Sequence, residues 1–204
     1  MKRQVIFDID LDFFVTPTFR GGNSDQDPRL PDADFNPDTP EQVLHFMTHG
    51  LGLDPEHQTP GTVVTHHQEV YYIWEDLVKR GKLTPKFSVV HIDAHDDMFG
   101  HVKNPKITSG NYLIHAARQD WLAHIAFVQP CGLNEIPYVA DDYKHLIVDG
   151  HKLEFSIANK KDMNWSEGEI NLKPDYLFLT QSPGYTPESA DSLMPVISQF
   201  ISKI

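Results

Sequence analysis

The sequence lacks long apolar runs, and it contains one cysteine among its 204 residues. No stretch approaches the roughly 20 consecutive apolar residues that a membrane-spanning helix needs, so no membrane partner is expected. The lone Cys131 excludes an internal disulfide and favours a reducing compartment. The opening residues also lack the longer apolar stretch of a secretion signal. We therefore predict a cytoplasmic protein.

Positive charge is also scarce. The chain has 17 basic and 29 acidic residues, which leaves a formal net charge of −12. A surface of this sign repels phosphate backbones, so no nucleic-acid partner is expected. With 40% hydrophobic residues the chain can bury a core, and we predict a single domain over residues 1–204. The 12 histidines are more informative than the charge, because histidine is the commonest metal ligand.

Short apolar runs predict a sheet. They cover residues 5–7, 62–64, 87–90, 125–128 and 176–179, and they are typical of buried parallel strands. Helix-period segments lie between them, which predicts a three-layer α/β/α fold with a mainly parallel sheet. A small hairpin is expected within residues 141–173.

Two helices are predicted with defined ends. The first covers residues 69–79, with Gly81 just past its end. The second lies near the C terminus, with Thr186 as N-cap and Pro187 at its first position. Its apolar face is expected to carry Leu193, Val196, Ile197, Phe200 and Ile201.

Residues 16–40 hold five prolines and the pair Gly21-Gly22, which predicts a loop. A loop of this length inside a compact domain is usually functional or mobile. Two interpretations stay open at this point: a segment that covers the substrate, or a disordered surface insertion.

The most informative motif is Asp93-Ala94-His95-Asp96-Asp97, which follows an apolar strand directly. Open α/β sheets bind ligands at the C-terminal ends of their strands, which is where this motif lies. Residues 93, 95 and 97 can point into one crevice as the chain leaves the sheet. Two carboxylates and an imidazole suit manganese, iron or zinc. A polar loop with a helix-capping aspartate is the plainer alternative.

The first strand repeats this arrangement with Asp8, Asp10 and Asp12 at alternate positions. If the chain stays extended, the three carboxylates share one side. Such like charges repel strongly unless a cation lies among them, which is the best physical argument for a metal. Phe13 and Phe14, which follow, are expected to fill the core.

The pair His66-His67 follows the apolar run 62–64 and opens the helix 69–79. An imidazole at this strand end would complete the ligand cluster, and we favour His67 over His66. A histidine that only hydrogen-bonds the start of the helix is the alternative.

The ligand motifs at the three strand ends resemble those of the arginase and ureohydrolase superfamily. They are one histidine, an Asp-x-His-x-Asp and an Asp-x-Asp. The resemblance implies an α/β fold with two Mn²⁺ ions, or Fe²⁺ or Zn²⁺ in their place, and a metal-activated water that attacks a guanidinium carbon. By this likeness Asp8 and Asp93 would bridge both ions at the catalytic centre. The other ligands would be His67 and Asp97 for one ion, and His95 and Asp10 for the other.

Ser109-Gly110-Asn111 extends the resemblance, because arginases hold the amino-acid end of their substrate with such a motif. The motif order is rearranged, however, since the Asp-x-Asp comes first, and no counterpart of the guanidinium-binding glutamate is found. Asp-Ile-Asp-Leu-Asp-Phe-Phe over residues 8–14, with Ser-Pro-Gly-Tyr over 182–185, looks like a divergent branch that includes peptide arginases of ribosomal peptide biosynthesis. That likeness implies an arginine-containing peptide as substrate, converted to ornithine residues with release of urea.

Four further residues are assigned to the site on their positions. Gln181 and Ser182 end the last predicted strand and are expected to hydrogen-bond the guanidinium, with Tyr185 as a wall of the crevice. His115 is expected to shuttle a proton to the leaving amine, since imidazole titrates near neutral pH.

Three other functions stay open. One is a ureohydrolase that acts on free arginine or a related small guanidino compound. Another is a haloacid-dehalogenase-type phosphatase with Asp8 as nucleophile and Asp10 as acid/base, although the bulky Leu11-Asp12-Phe13 replaces the small turn that such enzymes need. The last is an inactive module that only binds a peptide.

Overall fold

The computed structural model describes residues 3–21, 27–99, 106–133, 137, 140–142, 144–162 and 173–204. Its strands are β1 (Val5–Asp10), β2 (Val15–Thr16), β3 (Asn36–Pro37), β4 (Thr59–Val64), β5 (Phe87–Ile92), β6 (Leu122–Gln129), β7 (His145–Val148), β8 (His151–Asn159), β9 (Tyr176–Thr180) and β10 (Ile201–Lys203). Its α-helices are α1 (Pro40–His45), α2 (Gln68–Lys79), α3 (Tyr112–Arg118) and α4 (Met194–Ser198).

One eight-stranded sheet organises the fold, in the spatial order β10-β4-β9-β1-β5-β6-β8-β7. All neighbouring strands in it are parallel except β7 and β8, which form an antiparallel pair. β2 and β3 pair separately. The five apolar runs of the sequence all lie in this sheet, which confirms the predicted mainly parallel architecture.

Helices cover both faces of the sheet. On one face, Ile6 and Val89 pack in a core with α2 and α3. On the other, Phe7 and Val90 pack with α1, α4 and the 3₁₀ helix Glu188–Leu193. Because successive residues of a strand point to opposite faces, burial on both sides requires continuous apolar runs. This three-layer arrangement is the predicted one. Within the described ranges, no helix has the length and apolar character to cross a membrane.

The first predicted helix is confirmed. α2 starts one residue earlier than expected, at Gln68, and buries Val70, Trp74 and Leu77. Gly81 follows it with φ of +67°, a left-handed conformation that glycine adopts without a steric penalty.

The predicted C-terminal helix is wrong at both ends. Thr186 does not cap it, because its hydroxyl donates hydrogen bonds to the backbone carbonyls of Gln181 and Ser182. The chain instead forms the 3₁₀ helix Glu188–Leu193 and then the short α4. Ile201 leaves the helix and pairs with Thr59 at the sheet edge, so backbone pairing with β4 ends the helical periodicity.

The expected hairpin is present as β7 and β8, and both strands belong to the main sheet. Asp149 and Gly150 connect them with φ of 48° and 84°. A two-residue loop with positive φ at both positions matches the right-handed twist of paired strands, and Asp-Gly is a preferred sequence for it.

The described parts of residues 16–40 are attached to the fold. Arg29 forms an ion pair with Asp191 (2.6 Å), and the Leu30 N–H donates to the Thr186 carbonyl (3.2 Å). The Asp32 carboxylate accepts from the backbone N–H of Ser189 (3.1 Å). Residues 22–26 of the predicted loop lie outside the described residues.

Gly61→Ala is expected to destabilise the protein by at least about 2 kcal/mol. Gly61 pairs with Leu177 in the sheet, and an added Cβ would lie 1.7 Å from the Leu177 carbonyl oxygen. Gly110→Ala is the matched control, since a Cβ there meets nothing within 4 Å. Urea unfolding measures both variants, and equal midpoints would contradict the β4–β9 register.

Candidate metal centre

The candidate site lies at the C-terminal ends of four adjacent strands. β1 ends in Asp10, β5 leads into Asp93, β4 leads to His67, and β9 leads to Ser182. In the sheet, β1 lies between β9 and β5. β4 and β5 come later in the chain than β1, and they lie on opposite sides of β1 in the sheet. The chain thus reverses direction across the sheet at β1, and such a switch point is where open α/β sheets form a ligand crevice.

The centre of the site is the buried Nδ1 atom of His67. It lies 3.1 Å from Asp10 Oδ2, 3.2 Å from Asp93 Oδ2 and 2.8 Å from Asp97 Oδ2. His67 Nδ1, Asp93 Oδ2 and Asp97 Oδ2 nevertheless have no hydrogen-bond partner among the described residues, because the short contacts lack hydrogen-bond alignment. Buried polar atoms are rarely left in this state in proteins.

Such atoms fit a metal ion. Three carboxylate oxygens approach one imidazole nitrogen without aligned hydrogen bonds to it, as ligands do when they surround a shared cation. The mixed N/O set suits divalent transition metals. The buried aspartates and histidines can therefore hold a metal ion.

The second nitrogen of His67 is held by Asp8. Nε2 lies 3.1 Å from Asp8 Oδ1, in hydrogen-bond geometry. If Nε2–H donates to this carboxylate, the Nδ1 lone pair is free for a metal, as in carboxylate–histidine–metal arrangements. Tyr112 completes the contact, since its hydroxyl donates to Asp8 Oδ2. Asp8 thus lies on the opposite side of the His67 ring from Asp10, Asp93 and Asp97, which differs from the bridging position predicted for it.

Other groups of potential ligands among the described residues overlap with the one around His67 Nδ1: Asp8, His67 and His91; His91, Asp93 and Asp97; and Asp12, Asp93 and His95. The last of these lies around His95. His95 Nδ1 lies 2.9 Å from Asp12 Oδ2 and 3.7 Å from Asp93 Oδ1. Its Nε2–H donates to the Phe19 carbonyl (3.0 Å), so Nδ1, which is hydrogen-bonded to Asp12 Oδ2, is the nitrogen that could bind a metal in place of that hydrogen bond.

Asp12 therefore takes the place next to His95 that was predicted for Asp10. The chain does not stay extended after Asp10, because this residue caps a 3₁₀ helix over Leu11–Phe14. Phe13 and Phe14 in that turn are buried, as expected.

Asp93 belongs to the group around His67 and to the group around His95. Its Oδ2 atom faces His67 and its Oδ1 atom faces His95, and Oδ1 also accepts from the His95 backbone N–H (2.7 Å). Its carboxylate can therefore contribute an oxygen to either group. The bridging role predicted for Asp93 stays a prediction.

Three features of the cluster were not predicted from the sequence: His91, Tyr112 and the position of Asp12 beside His95. His91 is buried in β5, opposite Asp8 in register, with Nε2 3.4 Å from Asp93 Oδ2 and 3.2 Å from the His95 carbonyl. A histidine within an otherwise apolar buried strand, two residues before Asp93, was an available signal. Tyr112 gave no such signal, because only the packing of α3 against the sheet brings its hydroxyl to Asp8.

Burial and mutual charge shift the pKa values of the cluster in different directions. Burial would raise the pKa of Asp8, but His67 and His91 lower it well below its usual value. Burial would lower the pKa of His67, but Asp8, Asp10 and Asp93 raise it well above its usual value. For Asp97, burial and the Asp93 charge raise the pKa to about 7.

Two residues at the site have left-handed backbones. Asp97 and Ser182 both have φ of 47°. Non-glycine residues in this region are uncommon and cluster at functional sites. In Ser182 this conformation accompanies a hydrogen bond from the side-chain hydroxyl to Asp10 Oδ2.

Of the other residues predicted at this end of the sheet, Ser182 and Tyr185 contact residues of the cluster, whereas the Gln181 side chain contacts Asp191 instead. Ser182 contacts the ligand Asp10, so its hydroxyl orients a carboxylate. The Gln181 side-chain amide donates to Asp191 (2.9 Å). The Tyr185 ring lies 5.4 Å from the His95 ring, between centroids, and 6.3 Å from that of Phe19. Tyr185 therefore lies beside His95, and its predicted role as a wall of a substrate crevice stays a prediction.

Ser109 and Asn111 support the local structure. Ser109 Oγ accepts from the His67 backbone N–H (3.2 Å) and donates to Gln68. The Asn111 side chain accepts from the Thr108 N–H (2.8 Å) and donates to the Lys106 carbonyl (3.1 Å). Both ends of the Asn111 amide are thus bonded to the loop that leads into α3.

His115 does not join the cluster, so the proton shuttle predicted for it is not supported. It lies one turn beyond Tyr112 on α3, and its ring contacts Tyr71 at a centroid distance of 6.4 Å. Burial and Arg118 lower the pKa of His115. The first residue of α3, rather than the fourth, faces the aspartates.

Comparison with known proteins adds no family assignment: no protein-family model matches the chain, and no curated protein matches its sequence.

Asp97→Asn is expected to stabilise the metal-free protein at pH 8 by about 5 °C in melting temperature. Unfolded aspartate ionises near pH 3.8, whereas folded Asp97 keeps its proton up to about pH 7. The folded state binds more protons between these values, so stability falls as the pH rises through this window. Asparagine removes the buried charge and tolerates the left-handed backbone.

Thermal unfolding of EDTA-treated protein at pH 5 and pH 8 measures this effect. The advantage of Asp97→Asn should shrink at pH 5, where the wild-type carboxyl is protonated. The exposed Asp34→Asn is the control for loss of one negative charge. Equal melting temperatures of wild type and Asp97→Asn at pH 8 would contradict the assigned burial of this charge.

Proposed function

We propose that this protein is a binuclear metal-dependent hydrolase that converts arginine residues of a peptide to ornithine residues with release of urea. The observation that carries the hydrolase assignment is Asp93, whose two oxygens face two separate imidazole groups. The resemblance of the ligand motifs to arginases supports the choice of a guanidino substrate.

We assign one ion to His67, Asp10, Asp93 and Asp97, and the other to Asp12, Asp93 and His95. Mn²⁺ is the proposed metal, and the same N/O ligands suit Fe²⁺ or Zn²⁺. In this assignment Asp8 is a positioning residue, since it orients His67. Tyr112 supports Asp8, because burial and the Asp8 charge raise the pKa of its hydroxyl well above the usual value and keep it a donor.

The reaction adds water across one C–N bond. When bound, a pair of divalent cations lowers the pKa of water enough to supply a nucleophile near neutral pH. A C–O bond forms at the guanidino carbon, the bond from that carbon to the side-chain nitrogen breaks, and the amine leaves with a proton. The surplus of buried carboxylates attracts the cationic guanidinium, and the Tyr185 ring limits the crevice beside His95.

Asn111 favours a peptide over free arginine. In arginases the Ser-Gly-Asn motif holds the amino-acid end of the substrate. Here both ends of the Asn111 amide bond to backbone groups, and the Ser109 hydroxyl bonds to Gln68 and the His67 backbone. These side chains are already engaged, which fits a substrate whose arginine has no free amino and carboxyl groups.

The phosphatase alternative gains no support from the position of Asp8. A phosphatase nucleophile must reach a phosphorus atom, but Asp8 is fully buried and its oxygens contact His67 and Tyr112. An inactive peptide-binding module would share the fold and the cluster. A measurement of catalytic turnover distinguishes it from the enzyme.

Metal analysis of purified protein loaded with Mn²⁺ is expected to give two ions per chain. Asp12→Asn should lose one ion, because it removes a ligand of the His95 group alone. Asp93→Asn should lose most of both, since it disrupts each group. The exposed Asp34→Asn should keep two ions. One ion in the wild type, or two in Asp93→Asn, would contradict the shared-carboxylate assignment.

Activity is tested with an arginine-containing peptide and with free arginine, each incubated with the Mn²⁺-loaded protein. We expect urea and a peptide mass loss that matches guanidine-to-amine conversion, on the peptide alone. Asp93→Asn should lower the rate at least about 1,000-fold, because it removes the bridging charge from the metal centre.

Each other outcome identifies a different function. Urea from free arginine would indicate a ureohydrolase of small guanidino compounds. Peptide binding without urea would indicate an inactive module. Phosphate release from a phosphate ester under Mg²⁺ would restore the phosphatase interpretation.

A further inference from the structure

A cavity of about 790 Å³ lies beside the metal centre. One wall is the stretch that includes Phe13 and residues 16–18 and 20. The opposite wall is α1 with the π-helical turn Phe46–Gly50. The loop 130–133 after β6, with Lys160 and Lys161 after β8, completes it. None of the assigned metal ligands lines this cavity.

The charge of the cavity is opposite to that of the protein. Among the described residues that line it, Arg20, Lys160 and Lys161 are basic and Asp38 is acidic, and Asp38 forms an ion pair with Lys160. The whole chain has a formal net charge of −12. Clustered cations attract anions locally, even though the net negative charge of the whole protein opposes their approach.

Lys160 is a fixed cation at the base of the cavity. Its ammonium lies 5.0 Å from the Phe13 ring centroid and 4.9 Å from that of Phe14. These rings, the ion pair with Asp38 and partial burial hold the side chain in place. His45 and His49 stack with ring centroids 4.3 Å apart on the facing wall and offer further polar groups.

The cavity and the metal centre share one wall. Thr18 and Arg20 line the cavity, whereas the Phe19 carbonyl between them accepts from His95. Likewise, Phe13 lines the cavity, and Asp12 before it contacts His95. Residues that line the cavity and residues that contact His95 thus alternate along these two short segments.

We propose that this cavity binds the carboxylate of an acidic residue close to the target arginine in the peptide substrate. This inference rests on the proposed function. It makes the two sites complementary, because the acidic cluster attracts the guanidinium and the basic cavity attracts the carboxylate. The substrate class is then a peptide with an acidic side chain at a fixed spacing from its arginine.

Binding of a peptide series to the Mn²⁺-loaded full chain tests this, with affinity measured by fluorescence anisotropy. Each heptapeptide has a central citrulline, which keeps the shape of arginine without the guanidinium, so that binding is measured without turnover. One glutamate moves through the other positions, and glutamine at the same position is the neutral control. We expect glutamate to bind about tenfold tighter than glutamine at one or two positions.

The double variant Arg20→Gln/Lys161→Gln is expected to reduce that preference to about twofold or less. Both side chains are exposed, so the variant should keep its fold and its metal content. Lys79→Gln, on the exposed side of α2 across the sheet, should keep the full preference. No preference for glutamate at any position, or a preference that survives the double variant, would overturn the proposal.

Two further experiments test where the bound carboxylate comes from and whether the protein is an enzyme. Free N-acetylglutamate that binds as tightly as the glutamate peptide would overturn the assignment to a peptide substrate. The arginine versions of the peptides give the urea readout, and glutamate at the preferred position should lower KM about tenfold. Glutamate-specific binding without urea would support the cavity and contradict the proposed hydrolase.

Discussion

Mutual repulsion among five buried carboxyl groups dominates the physical chemistry of this protein. Asp8, Asp10, Asp12, Asp93 and Asp97 are each less than a tenth exposed and lie together at the ends of parallel strands. Like charges at such distances interact strongly where water is excluded. Without a metal, the protein can lower this cost only through imidazoles, hydroxyls, backbone N–H groups and carboxyl groups that keep their protons. The raised pKa values of Asp12 and Asp97 show that these two carboxyl groups tend to keep theirs. Two divalent cations would neutralise most of the charge directly.

The rest of the fold positions these groups. Two apolar layers cover the sheet and exclude water from the strand ends, and the hydrogen bonds of His67 to Asp8 and of His95 to Phe19 fix each ring by its outer nitrogen. The Phe19 contact also connects the metal centre to the segment after β2, whose other side lines the basic cavity. The same segment therefore orients His95 and lines the cavity that is expected to bind substrate.

Local sequence patterns predicted the sheet and most of the cluster, because strands buried on both faces must be apolar and ligands must follow them. The Asp93–Asp97 motif and His67 could each be identified from their own positions after an apolar strand, without knowledge of other residues. The role of Asp8 depended on the orientation of the His67 ring, and the role of Tyr112 depended on the packing of α3, so neither could be read from spacing. Asp12 was misplaced because the extended conformation assumed after Asp10 gives way to a 3₁₀ turn. The C-terminal helix failed for a similar reason, since pairing of Ile201 at the sheet edge outweighed helical periodicity.

The most direct test of the metal centre is a crystal structure of the Mn²⁺-loaded protein, with anomalous diffraction measured at the manganese edge. We expect one anomalous peak bounded by His67 Nδ1 and the carboxylates of Asp10, Asp93 and Asp97. We expect a second peak beside His95 Nδ1, with Asp93 between the two. Density without either peak, and with His67 hydrogen-bonded directly to the surrounding carboxylates, would contradict the proposed metal centre.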